Sequence, residues 1–158
     1  MKKNVTLFDK KFVIATLNLE QRALNFKNLT YNSEKALGVC QRYFRSSLTR
    51  RLIGNEILAR TIAGEWSTQA FVRKKFKMSK GQVSSVFNDC VQADWFVKDN
   101  SKENGSTQPH YQAAKIMITS IEIYQKYIWQ GFDEDTIKTF LEHLILQKNM
   151  FRNETNTP

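Results

Sequence analysis

The sequence predicts a mainly α-helical protein with one small β-hairpin, and three observations lead to this fold class. The chain of 158 residues has only six Gly and two Pro, a composition that favours helices. From about residue 33 onward, apolar residues return every three or four positions, the spacing of a helix with one buried face. The exceptions are Trp95–Val97, which is aromatic and β-branched, and Pro109–Ala113, which follows a polar loop. That order is typical of a hairpin.

The first part of the chain allows more than one interpretation. Residues 5–31 contain Phe12–Ala15, which has the character of a strand, but the apolar residues also fit one or two helices, and a helix is slightly favoured. Ser33 is then expected to cap a helix that has Glu34 in its first turn. The apolar face of this helix is predicted to be Ala36, Leu37, Cys40, Phe44 and Leu48.

A break is predicted within the N-terminal helices. Gly54 and Asn55 interrupt the helical pattern, because Gly destabilises a helix interior and Asn favours caps and turns. Asn55 is therefore expected to begin a second, short helix that ends at Gly64. On this interpretation residues 33–64 form a pair of N-terminal helices.

The centre of the chain gives the clearest pattern. Ser67 is predicted to cap a helix over Thr68–Phe76, and Ser79 is predicted to cap a second helix from Lys80 to about Asp94. Two capped helices joined by a tight turn and followed by a hairpin are the element order of a winged helix-turn-helix, which we assign to residues 65–115. The inward side chains of the first helix are expected to be Phe71, Val72 and Phe76.

Two further helices are predicted within residues 116–152. The first covers Ile116–Gln130 and is expected to end at Gly131, since Gly is the residue that most often follows a helix end. The second opens at Asp133–Asp135, where negative charge interacts favourably with the helix dipole. The fold class is therefore a winged helix-turn-helix flanked by N- and C-terminal helices, within a single domain over residues 1–158.

Positive charge is concentrated in one quarter of the chain. Residues 42–80 contain ten Lys or Arg against two acidic residues, an excess of eight, whereas the whole chain has a formal net charge of +9. Segregated positive charge is expected in a protein that binds a polyanion. Taken alone it is equally compatible with a solvated basic surface. Its coincidence with the helix-turn-helix pattern favours a protein that binds double-stranded DNA.

The second central helix is predicted to read base edges in the major groove, which accommodates one helix. The amides of Gln82 and Asn88 can pair with adenine, and Gly81 lets the backbone come close. Basic residues within 73–77 are expected to contact phosphates, which fix the register. Each residue also has an ordinary explanation as a helix cap or a solvated side chain. The predicted DNA-contacting residues are Ser67, Thr68, Gln69, Arg73, Lys74, Lys75, Lys77, Ser79, Lys80, Gly81, Gln82, Ser84, Ser85, Asn88, Lys98, Lys102 and His110.

The run Ser67–Val97 resembles the helix-turn-helix of the MarR family of bacterial winged-helix regulators, and Ile118-Thr119 resembles the step that follows its wing. The resemblance covers about residues 33–150 and is specific only over about 65–120. It implies a transcription regulator whose N- and C-terminal helices form a homodimer, and it leaves a small-molecule effector open. The candidate dimer contacts are Phe140, Leu141, Leu144 and Ile145, a stripe that could equally complete the core of the monomer.

The predicted hairpin tip differs from the pattern of that family. The family's wing usually carries an aspartate, any residue and an arginine that enters the minor groove, whereas Asn100–Thr107 contains no Arg. Lys102 is the nearest substitute. Two other interpretations therefore stay open: a replication or partition protein of a mobile element, and a protein-interaction module on a winged-helix scaffold.

The sequence does not point to an enzyme, a cofactor or a metal site. It has no Gly-rich phosphate loop, nucleophile elbow or zinc-protease motif, and its His110, His143, Cys40 and Cys90 do not have the spacing of a zinc site. The cysteines are expected to be small buried apolar residues, with Cys40 as a thiol sensor the weaker alternative. No apolar run suits a membrane span or a secretory signal, which predicts a cytoplasmic protein.

Overall fold

The structure is a computed structural model that describes residues 10–31, 35–100 and 107–154. Within these ranges the chain is mainly helical and contains one two-stranded antiparallel sheet, so the predicted combination of helices with a small hairpin is confirmed. The elements in chain order are α1 (Lys10–Tyr31), α2 (Ala36–Arg45), α3 (Leu48–Ile62), α4 (Gln69–Phe76), α5 (Lys80–Gln92), β1 (Phe96–Asp99), β2 (His110–Ala113), α6 (Lys115–Trp129) and α7 (Glu134–Glu154).

The chain divides into two compact units. Asn28–Tyr124 form one of them, which we call the central unit. The segments that precede Asn28 and follow Tyr124 form the other, which we call the terminal unit. The helices α2 to α5 and the hairpin therefore all belong to the central unit, which contains the residues predicted to bind DNA.

The core of the central unit is built around α5. Val83 and Phe87 are 0 % exposed. The ring of Phe87 lies edge-on to Phe96 of β1 and Tyr111 of β2, with ring centroids 5.3 and 4.7 Å apart, an arrangement that aromatic rings prefer. The other buried members of this core are Cys40, Ile53, Ile57, Val72, Val86, Cys90, Trp95, Ala113 and Met117.

The N-terminal part of the chain differs from the predicted helix pair. α1 is one continuous helix, which supports the helical interpretation over a strand. The predicted cap at Ser33 and Glu34 lies outside the described residues. α2 ends at Arg45 instead of continuing through Leu48, because the Ser47 hydroxyl accepts a hydrogen bond from the Arg50 N–H and starts α3. Leu48 therefore opens α3 and is 71 % exposed instead of joining the apolar face of α2.

The predicted break at Gly54 and Asn55 is wrong, because α3 runs without interruption from Leu48 to Ile62. Gly54 serves helix packing instead: a Cβ atom there would overlap the ring of Phe44 on α2, with the ring's Cε1 only 2.7 Å away. The missing side chain lets α2 approach α3 closely. A glycine in the sequence pattern thus marked a close approach between two helices and not a helix end.

α4 begins one residue later than predicted. Thr68 is the N-cap, and its Oγ1 accepts a hydrogen bond from the Phe71 N–H. Ser67 instead forms a β-bridge with Tyr111, in which each backbone N–H donates to the other residue's carbonyl at 3.0 and 2.8 Å. Val72 is buried as expected, but Phe71 is 37 % exposed, so its predicted inward position is wrong.

The C-terminal helices are confirmed with small shifts. α6 already begins at Lys115, so the step from wing to helix, expected near Ile118, comes three residues earlier. Gly131 has a φ of 78° and follows the end of α6, as predicted. Asp133 caps α7, because its Oδ1 accepts a hydrogen bond of 2.7 Å from the Thr136 N–H.

Aromatic contacts hold the terminal unit together. Phe12 of α1 stacks on His143 of α7, with ring centroids 4.6 Å apart. The ring centroid of Phe140 lies 5.4 Å from that of Phe12. The Arg22 guanidinium lies 4.5 Å from the centroid of Phe132 and donates hydrogen bonds to two backbone carbonyls at the end of α6. A cation at the C-terminal end of a helix is stabilising.

Replacing Gly54 by Ala is expected to lower the free energy of unfolding by about 1–3 kcal/mol, the usual effect of overpacking a core. Helix propensity alone predicts the opposite, a gain of about 1 kcal/mol. Urea denaturation followed by circular dichroism measures the difference. The matched control is Asn55→Ala at the exposed neighbouring position, which we expect to be neutral or slightly stabilising. A Gly54→Ala protein more stable than the original would show that the Phe44 contact does not limit packing.

Candidate nucleic-acid interface

α5 begins with a complete capping box. The Ser79 hydroxyl accepts a hydrogen bond of 3.2 Å from the Gln82 N–H, and Oε1 of Gln82 accepts one of 3.0 Å from the Ser79 N–H. The predicted role of Ser79 as a helix cap is confirmed. Gln82 was assigned to a base contact from the sequence, but its side-chain carbonyl belongs to the cap, a use that fixes the first turn of α5.

One face of α5 is exposed and polar. Gly81, Ser85 and Asn88 follow one another at helical spacing, and all three are exposed. Gln92 lies one turn beyond Asn88 and is exposed on the same face. Gln92 was not predicted as a contact from the sequence, although its spacing of four residues from Asn88 was the available signal. A Cβ atom at Gly81 would meet no other atom within 4 Å, so no contact in the described part of the chain requires glycine there.

Hydrogen bonds hold α5 on two sides of this face. Toward α4, the Ser84 hydroxyl donates to Oε1 of Gln69 at 2.9 Å, and Nε2 of Gln69 donates to the Tyr111 hydroxyl at 3.3 Å. On the other side, the Tyr43 hydroxyl of α2 donates to Oδ2 of Asp89 at 2.7 Å. Burial and this bond raise the pKa of Tyr43. Ser84 and Gln69, both predicted to contact DNA, therefore brace the helices.

The basic residues of α4 point in two directions. Nζ of Lys75 lies 2.5 Å from Oε2 of Glu56 on α3, so the charge of Lys75 is paired within the protein. Arg73, Lys74 and Lys77 are exposed, and so is Lys80 at the start of α5. Lys75 is therefore held toward α3 by its ion pair with Glu56, whereas the other four basic residues are exposed to solvent.

Lys77 has an unusual backbone. Its φ is 53° and its ψ 42°, the left-handed conformation that ends α4. This position is usually Gly or Asn, because a Cβ atom in the left-handed region costs about 1–2 kcal/mol. The sequence did not predict it, since a lysine carries no signal for that conformation.

The other predicted contact residues lie in and beside the hairpin. Antiparallel pairing puts His110 of β2 opposite Asp99 of β1, and Lys98 is exposed on β1. Lys102 lies outside the described residues. Ser67 is 2 % exposed, so its hydroxyl faces the interior instead of a partner.

The residues predicted to form a dimer also separate into two groups. Phe140 packs inside the terminal unit, against Phe12 and at a centroid distance of 5.8 Å from Trp129. Leu141 and Ile145 are exposed, and the side chain of Leu144 lies outside the described residues. An exposed apolar stripe on α1 was not predicted from the sequence: Val13, Ile14, Leu17 and Leu24.

Both cysteines lie in the core of the central unit. Cys40 is 2 % and Cys90 0 % exposed. Burial raises the pKa of each thiol to about 12, because an apolar environment disfavours the charged thiolate. These surroundings suit a small apolar residue and oppose the role of a thiol sensor, which needs an accessible thiolate.

A metal centre and a membrane span are two other features that the described part of the chain could contain. No group of three or more His, Cys, Asp and Glu side chains in these residues could hold a metal ion. None of the helices described combines the length and the apolar character that a membrane span requires.

Comparisons of the chain with protein-family models, with curated proteins and with solved structures find no match. The candidate interface is therefore defined by the geometry of its own residues.

The two thiols are expected to resist alkylation in the native protein and to react fully after denaturation with guanidinium, because both are buried and protonated. Mass spectrometry of the iodoacetamide-treated protein counts the modified residues. The raised pKa values also predict how the free energy of unfolding depends on pH. The contribution of the two thiols is fully present at neutral pH and falls as the pH rises from 9.0 toward about 12, because the thiols of the unfolded chain ionise first. Rapid labelling of Cys40 in the folded protein would contradict this description.

Proposed function

We propose that the protein binds double-stranded DNA in a sequence-specific manner as a winged helix-turn-helix, in which α5 is the reading helix, α4 braces it and the β1–β2 hairpin is the wing. The observation that carries the proposal is the exposed polar face of α5 at Gly81, Ser85, Asn88 and Gln92. The opposite side of the same helix lies in the core. A helix that reads bases needs both properties, because it must present hydrogen-bonding groups in a fixed orientation.

Asn88 is the leading candidate for a base contact. Its side chain is exposed in the middle of the polar face, and an amide can form two hydrogen bonds to adenine. Gly81 supports the approach of DNA to the first turn of α5, since its position is open. The positive dipole at the N-terminus of a helix favours an anion in this place.

Phosphate contacts are assigned to Arg73, Lys74, Lys77 and Lys80. All four are exposed and lie along the end of α4 and the start of α5. Lys77 has a left-handed conformation that glycine would adopt with less strain, and its exposed side chain adds a positive charge between α4 and α5.

We also propose that the protein acts as a homodimeric transcription regulator in the bacterial cytoplasm, as the resemblance to the MarR family implies. The exposed apolar side chains of the terminal unit on α1 and α7 support a dimer, because a partner subunit could bury them. A two-fold dimer would carry two reading helices for successive major grooves, about 34 Å apart.

A protein-interaction module is the second candidate, and one surface favours it. Ile62, Trp66 and Phe71 are 63, 38 and 37 % exposed, and the Arg60 guanidinium lies 4.2 Å from the centroid of the Phe71 ring. Aromatic residues and Arg are enriched at protein interfaces. This function predicts no affinity for duplex DNA at physiological salt.

Selection of bound sites from random duplexes tests the two functions against each other. DNA binding predicts a consensus sequence, and a dimer predicts that the consensus is palindromic. The affinity should fall with salt concentration with a log–log slope of about −0.9 for each phosphate neutralised. A chain that selects no sequence and has no salt-dependent affinity for duplex DNA would exclude this function and leave the interaction module.

Asn88→Ala and Lys74→Ala are expected to affect DNA binding in different ways. Loss of the amide should relax discrimination at one base pair by about 1–3 kcal/mol, whereas loss of the lysine should weaken binding to every sequence alike. Lys75→Ala is the matched control for charge, and we expect a smaller effect because Glu56 already pairs with Lys75. Fluorescence anisotropy with consensus and mutated duplexes measures all three. Identical behaviour of Asn88→Ala and Lys74→Ala would contradict the assigned reading face.

Lys77→Gly is expected to make the protein more stable and its binding to DNA weaker. Glycine adopts the left-handed conformation without the strain of about 1–2 kcal/mol that a Cβ atom causes. The substitution also removes the positive charge that we assign to a phosphate contact. Asp94→Gly is the matched control, since Asp94 also has a positive φ, of 58°, but is acidic. It should raise the melting temperature without weakening DNA binding. Equal affinities of the Lys77→Gly and original proteins would remove Lys77 from the interface.

A further inference from the structure

The junction between α2 and α3 is a second basic surface of the central unit. We call it the α2–α3 corner and define it as residues 42–51. Between Glu34 and Glu56 the sequence has no acidic residue, but it has five basic ones. Ser46, Ser47 and Arg51 are exposed here. The corner is not part of the helix-turn-helix assigned above.

Two contacts orient Arg50 at this corner. Its guanidinium lies 4.3 Å from the centroid of the Tyr43 ring, a cation–π arrangement. Its Nη1 donates a hydrogen bond of 2.7 Å to the Ser46 hydroxyl. Arg50 is therefore held on the surface by neutral partners, and its positive charge is not neutralised by either of them.

Arg51 adds a second charge beside it. Its side chain is exposed, and its positive charge acts on that of Arg45. Burial lowers the pKa of Arg45, Tyr124 partly opposes this, and the positive charge of Arg51 lowers the pKa further. Like charges gathered in this way are unfavourable in the free protein and favourable beside a polyanion.

The corner is fixed next to the reading face of α5. The hydrogen bond from Tyr43 to Asp89 joins it to α5, whereas α4 is joined to α5 through Gln69 and Ser84. Positions 84 and 89 lie about 140° apart around a helix of 3.6 residues per turn. The exposed face at Ser85 and Asn88 lies between them, so α4 and the α2–α3 corner flank this face on opposite sides.

A helix in the major groove has one phosphate chain of the duplex on each side, since the groove is only about 12 Å wide. The basic end of α4 suits one chain. We propose that Arg50 and Arg51 of the α2–α3 corner contact phosphates of the other chain, so that the reading helix is clamped to both strands. This inference rests on the proposed DNA-binding function, and it adds a contact surface outside the helix-turn-helix.

The test compares the salt dependence of DNA binding between variants of the full chain. Arg51→Ala is expected to reduce the magnitude of the log–log slope by about 0.9, the loss of one neutralised phosphate. The effect should be the same on consensus and unrelated duplexes. Arg51→Lys keeps the charge and should keep the slope. Lys126→Ala removes an exposed charge from α6 and controls for net charge.

Ethylation interference identifies the strand. In Arg51→Ala, ethylation of the phosphates that Arg51 contacts should no longer weaken binding. These phosphates should lie on the DNA strand opposite the one identified in the same way with Lys74→Ala. The inference would be overturned if Arg51→Ala had the same slope and the same interference pattern as the unsubstituted protein while Lys74→Ala differed from it in both. That result would leave the proposed function intact. A chain without any affinity for duplex DNA would overturn both. Melting temperatures establish that each variant is folded.

Discussion

Phe87 is the residue on which the arrangement of the central unit depends. Its ring is fully buried and contacts the rings of Phe96 and Tyr111 on both strands of the hairpin. Because Phe87 lies on α5, the same contact that builds the core also determines how far α5 is rotated about its axis. The polar face is then exposed as a consequence, since it is opposite the buried side of the helix.

Polar contacts complete this arrangement where the apolar core ends. Ser84 joins α5 to α4, and Asp89 joins it to α2. The second bond also changes the electrostatics of the surface, because Asp89 is an acidic residue beside the face assigned to DNA. The Tyr43 hydroxyl donates a hydrogen bond to this carboxylate. Asp89, whose carboxylate would repel phosphates, thus serves to join α5 to α2.

The sequence predicted those parts of the fold that depend on local signals. Ser79 was identified as a cap because the capping preference involves only its own turn, and Gly131 was identified as a helix end for the same reason. Gly54 was misinterpreted because its reason is an aromatic ring on another helix. The start of α4 moved by one residue because Ser67 pairs with Tyr111, which is distant in the sequence.

The candidate site was predictable in its position but not in its details. A polar face on a capped helix beside basic residues follows from residue types and spacing. The sequence does not reveal that Gln82, Ser84 and Lys75 already have partners within the protein, because these contacts depend on the third dimension. The charges of Arg50 and Arg51 were part of the predicted excess, but the sequence did not show where these residues lie. Their position relative to α5 depends on the hydrogen bond from Tyr43 to Asp89.

The contact between Gly54 and Phe44 means that these two positions share one volume. A larger residue in α3 could be accommodated only if the ring on α2 became smaller, so changes at the two sites are coupled although the sites are ten positions apart in the chain. The ring of Phe44 also touches those of Tyr43 and Trp95. A substitution that alters this shared space would therefore shift the ring of Tyr43. Because the Tyr43 hydroxyl is hydrogen-bonded to Asp89, the shift would also affect the exposed face of α5.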